Sequence, residues 1–129
     1  MPGLPELLTW ELAWEGMNVN KEDFEKVVEE QINKCREVLI IKAREYATED
    51  RLHNFKVAGV LEGIGPIKAL AGMMAKHTVS IYDMCGSGEI YDIAKWDEKI
   101  TDHINYLLLL RALVEDVMIM IEESGSDRP

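Results

Sequence analysis

Glu98 and Asp102, followed by the carboxamide of Asn105, form the sequence's most suggestive set of groups able to do chemistry. Carboxylates spaced i, i+4 point from one helix face and can share a hard cation such as Mg²⁺ or Mn²⁺. An acidic pair is common in itself: Glu25 and Glu29 have the same spacing and read as solvated surface. What separates Glu98 and Asp102 is the rest of their face, which turns apolar at Leu109, Ala112 and Leu113. A face that is polar for two turns and apolar afterwards is covered by something, which puts the acids at the edge of a covered site.

A second set lies earlier in the chain. On a helical wheel Lys42 falls on the centre line of an apolar stripe and is flanked by Glu45 and Tyr46. A cation, a carboxylate and a phenol on an inward face need partners, although a Lys that snorkels out at a frayed helix end gives the same pattern. His77 sits mid-stripe on another helix and reads first as a core histidine with a satisfied ring. Gly63-Ile64-Gly65, with Lys68 just inside the next helix, could cradle a phosphate, but it fits a simple helix-breaking connection better. Cys35 and Cys85 belong to no metal-binding or disulfide pattern and read as buried, reduced thiols.

Helices must position these groups. Residues 1–19 form an N-terminal arm holding Pro2, Pro5, Trp10 and Trp14, with room for a helical turn or two. The tryptophans would dock on a neighbouring subunit or on the chain's own core. A domain over 20–123 follows. Its first helix starts after Asn20, a good N-cap with Glu22 and Asp23 behind it, and its stripe runs through Phe24, Val27, Val28, Cys35, Val38 and Leu39. A short, broken helical stretch occupies 48–65. Pro66 then opens a helix to about Met84, with Ile67, Leu70, Met73, Met74, His77, Ile81 and Met84 on one side. The last helix begins between Tyr91 and Asp97 and ends near Glu123. Its principal apolar face carries Trp96, Ile100, Ile104, Leu107, Val114, Met118 and Ile121. Residues 124–129 read as a disordered tail. No strand pattern appears, so the fold class is all-α: a bundle of three long helices with short helical segments.

Composition narrows the partners. In 129 residues, 24 Asp and Glu oppose 14 Lys and Arg, a net charge of −10, and 47% of residues are apolar. Such a chain has enough apolar residues for a core and too few cations to hold duplex nucleic acid or an anionic membrane by bulk charge. A small phosphorylated ligand is still admissible, because carboxylates can hold the cation that holds the phosphate. The start of the chain lacks a signal-peptide pattern and no apolar run is long enough for a membrane span, which predicts a cytoplasmic protein.

Four segments in order carry a family resemblance: Lys42-Ala43-Arg44-Glu45-Tyr46-Ala47, Asp50-Arg51-Leu52-His53-Asn54-Phe55, Met74-Ala75-Lys76-His77, and Glu98 through Tyr106. Over roughly residues 32–115 the chain resembles the phage and bacterial nucleotide-modification-associated proteins. These are similar to the all-α nucleoside triphosphate pyrophosphohydrolases, the MazG-like and dimeric dUTPase-like enzymes. The resemblance implies Mg²⁺-dependent cleavage of a nucleoside triphosphate to monophosphate and pyrophosphate. Carried over by motif, Glu45, Glu98 and Asp102 become the catalytic and metal-binding acids. Lys42, Asn54, Lys76, Asn105 and Tyr106 become ligand-binding positions. The ExxE pair usual in those enzymes has no match on the expected face, since Glu22 and Glu25 lie at the other end of the helix from Glu45. A non-catalytic nucleotide-binding or sequestering protein is therefore the first alternative, and a helical assembly module the second. The apolar second half of the last helix predicts a homo-oligomer.

Overall fold

A computed structural model describes residues 16–41 and 50–125; Lys42, Glu45, Tyr46, the Trp10/Trp14 arm and the last four residues lie outside the described part. All regular structure among the described residues is helical, in agreement with the all-α expectation. The elements are α1 (Lys21–Arg36), a π-helical turn (Glu37–Ile41), α2 (His53–Glu62), α3 (Pro66–Gly86) and α4 (Ile93–Gly125).

Local chemistry sets each boundary. Asn20 Oδ1 accepts the backbone N–H of Asp23 at 2.8 Å, capping α1, and Glu22 and Asp23 face the positive end of its dipole. The run Glu37-Val38-Leu39-Ile40-Ile41 is rich in β-branched side chains, poor helix formers, and there the helix widens into the π turn. Asp50 accepts the N–H of Leu52 at 2.9 Å and so organises the entry to α2. Gly63, at φ 70°, ends α2 in the left-handed conformation that favours glycine, and Pro66 opens α3. The two helices meet at 105°. Gly59 permits that corner: a Cβ there would stand 2.4 Å from the carbonyl carbon of Gly65.

The buried centre is Leu52, Phe55, Leu70 and Leu113, with Met73, Met74, Tyr106, Leu109 and Leu110 packed around it. It therefore joins α2, α3 and the middle of α4. α1 rests against the first half of α4, where Gln31 Nε2 donates to Thr101 Oγ1 at 2.9 Å.

Several details correct the reading from sequence. The buried side of α4 is Thr101, Asn105 and Leu113, whereas Leu107, Val114, Met118 and Ile121, expected inside, are exposed. The neighbouring helices pack on the side that begins polar, so the covering inferred from Leu109 and Leu113 is real and the assignment of the principal apolar face is not. On α1, Phe24 and Val27 are 60% and 57% exposed and Cys35 alone is buried. Cys85, expected inside, is exposed. Ser124 and Gly125, expected in a disordered tail, are the last residues of α4. No single helix among the described residues is long and apolar enough to cross a membrane, though the bent pair α2–α3 passes that test by length and composition.

Candidate functional site

Two adjoining cavities lie between the end of α1 with its π turn and the first half of α4. One, about 390 Å³, is lined by Lys34, Glu37, Val38, Asp97, Glu98, Thr101 and Asp102. The other, about 200 Å³, is lined by Val38, Leu39, Arg51, Asp102, Asn105, Tyr106 and Leu109. Val38 and Asp102 belong to both, so the pair reads as one cleft with a charged end and an apolar, aromatic end.

At the charged end, Lys34 Nζ pairs with Asp97 Oδ2 at 2.7 Å and ties α1 to the start of α4. Glu98 and Asp102 form no ion pair among the described residues; Glu98 is exposed and Asp102 half-buried. The i, i+4 spacing read from the sequence does bring both to one cavity. No three His, Cys, Asp or Glu side chains among the described residues are grouped as a ready-made metal site. Two carboxylates are nonetheless the usual protein contribution to bound Mg²⁺, which keeps waters and takes its remaining oxygens from substrate phosphates. Glu98 and Asp102 are oxygen donors of the kind a hard cation such as Mg²⁺ takes.

At the other end, Tyr106 is clamped from two sides. The His77 ring lies against it with centroids 4.7 Å apart, and Phe55 meets it edge-on at 6.3 Å. His77 therefore packs behind Tyr106 from α3 and itself lines neither cavity. Burial holds its pKa below the usual histidine value, opposed by the negative charge of Asp102, while Lys76, Lys99 and His103 add to the lowering. Nearby, the Thr78 hydroxyl and His103 Nε2 share a hydrogen bond of 2.9 Å that pins α3 to α4. Arg51 closes the far side and reaches the Leu39 carbonyl at 3.5 Å, at the limit of a hydrogen bond. Asn105 is 6% exposed, and neither its Oδ1 nor its Nδ2 has a hydrogen-bond partner among the described residues.

Of the residues expected to serve a ligand, Glu98, Asp102, Asn105 and Tyr106 are brought together here. Asn54 and Lys76 are exposed on α2 and α3 and line neither cavity. Lys42 and Glu45 fall outside the described residues. Reading from sequence missed Lys34, Glu37 and Asp97 as cleft residues, and it missed the π turn. The clustered β-branched residues at 38–41 were the available signal. No family model, curated protein or solved structure matches the chain.

Proposed function

We propose that the cleft binds a nucleoside triphosphate with Mg²⁺, Mn²⁺ being the plausible substitute, and hydrolyses it to a monophosphate and pyrophosphate. The observation that carries this reading is the division of one cleft into an acidic end and an apolar, aromatic end joined at Asp102. Glu98 and Asp102 would hold the cation at the phosphates, and Lys34 and Arg51 supply positive charge at the two ends. The cation would neutralise the phosphate oxygens and polarise the attacking water. Half-buried Asp102 is suited to orient that water, whose oxygen joins the α-phosphorus as the α–β anhydride bond breaks and pyrophosphate leaves. Val38, Leu39 and Tyr106 would take the base. The four-motif resemblance to the MazG-like pyrophosphohydrolases supports the same reading, and phage nucleotide metabolism in the cytoplasm is the setting it suggests.

The second reading is a nucleotide-binding protein without turnover on the same cleft, favoured by the fact that, with Asp97 paired to Lys34, α4 leaves two carboxylates there without an ion pair among the described residues. Pyrophosphate release across a panel of ribo- and deoxyribonucleoside triphosphates with Mg²⁺ separates the two. Release above the uncatalysed rate supports hydrolysis; tight binding without release supports sequestration. Absence of both leaves the assembly module.

We also propose that the protein works as a homo-oligomer. Phe24, Val27 and Ile32 on α1 and Met118, Met120 and Ile121 on α4 are each about half exposed or more, and patches of this kind mark association surfaces. A single monomeric species in sedimentation at micromolar concentration would contradict it.

A further inference from the structure

Thr101 and Asn105 sit one turn apart on the buried side of α4, each 6% exposed, yet they are treated differently. Thr101 receives a hydrogen bond from Gln31. Asn105 has neither its donor nor its acceptor engaged among the described residues, although both atoms are shielded from solvent. Leaving both halves of a buried amide unpaired is expensive, and replacing such an amide by an apolar side chain of similar shape can be neutral or stabilising. A residue with that penalty and no structural return among the described residues is one that a partner that comes and goes would explain. Asn105 lies in the wall of the 200 Å³ cavity, beside the Tyr106 ring and the aliphatic Val38, Leu39 and Leu109. Its terminal torsion is broad and roughly two-fold, so the amide is not locked in one orientation by its own rotamer.

Building on the nucleotide reading of the cleft, we propose that Asn105 recognises the edge of the ligand's nucleobase rather than its sugar or phosphate. A carboxamide offers one donor and one acceptor side by side, the complement of the adjacent donor and acceptor on a base's hydrogen-bonding edge. Tyr106, held by His77 and Phe55, lines the same cavity and would offer the base aromatic surface. The charged end is not needed for this contact, so base recognition and phosphate handling are separable functions of one cleft.

The test compares the wild-type protein with Asn105→Leu, using uridine, cytidine, adenosine and guanosine as base probes and ribose 5-phosphate with Mg²⁺ as the baseless probe. For the best-bound nucleoside, the variant should lose about ten- to hundred-fold in affinity, the equivalent of one or two hydrogen bonds. Its affinity for ribose 5-phosphate and its melting temperature should be unchanged, or the latter raised. The proposal is overturned if no nucleoside binds the wild type or if the variant binds nucleosides equally well. Failure of the variant to fold, or a clearly lowered melting temperature, overturns it too, because the amide is then structural. Pyrophosphate release from triphosphates by the wild type is scored separately. Its absence, with nucleoside binding that depends on Asn105, would sink the hydrolase reading and leave this one standing.

Discussion

The middle and the beginning of α4 live in different chemistry. Around Leu113 the helix meets α2 and α3 in an apolar cluster with Leu70 wholly buried and Leu113 1% exposed. Around Asp102 and Asn105 the same helix faces α1 and the π turn across a cleft whose carboxylates Glu98 and Asp102 and whose Asn105 amide are unpaired among the described residues. The first region is packed as a folding core is packed. The second tolerates open volume and unsatisfied polar groups, which folding alone disfavours. One helix therefore anchors the fold with its middle and presents chemistry with its beginning.

That contrast can be broken experimentally. The largest expected effect is at the packed region: Leu113→Ala should destabilise the protein by about 2–5 kcal/mol, measured by urea denaturation. If the loss is well under 1 kcal/mol, the core is not where the burial places it. A smaller effect should appear at the boundary between the two regions. Burial keeps His77 below the usual value of 6.5, so the folded protein takes up that proton less readily than the unfolded chain. The stability linked to its neutral ring is complete above about pH 6.5 and declines as acidification passes toward the lower folded value. In His77→Phe, which keeps an aromatic ring against Tyr106, stability should fall less between pH 7.5 and 5.5 than in the wild type. An equal fall would show that His77 does not titrate as its burial requires. The smallest effect should come from Lys34→Met. Its ion pair with Asp97 is partly solvated, and about 0.2–1 kcal/mol should be lost, less at high salt. A larger loss would make the charged end a structural element and weaken the contrast.

Much of this arrangement is legible in the sequence, for reasons that differ by element. Asn20 as a cap, Gly63 as a stop and Pro66 as a start are local chemistry, and each boundary follows from them. The grouping of Glu98, Asp102 and Asn105 follows from helical spacing, which needs no tertiary knowledge, whereas Tyr106 is suggested by its motif position. The side of α4 that is buried does not follow, because both faces carry apolar residues and the choice is made by where α1 and α3 pack. Lys34, Glu37 and Asp97 were illegible as site residues for the same reason: they become neighbours through the crossing of two helices. Asn54 and Lys76 show the converse. A motif position suggests a role, but the side chain on α2 or α3 is exposed away from the cleft.

The central claim is that the charged end of the cleft, through Asp102, holds a nucleotide's phosphates by way of a divalent cation. Calorimetric titration of wild type and Asp102→Asn with a panel of nucleoside triphosphates, with and without Mg²⁺, tests it most directly. The wild type should bind at least one triphosphate in a Mg²⁺-dependent manner. The substitution, which removes one charge and little volume, should weaken that binding about ten- to hundred-fold, or about 1.4–2.7 kcal/mol. Binding by none of the panel, or binding equally tight in Asp102→Asn, would contradict the account.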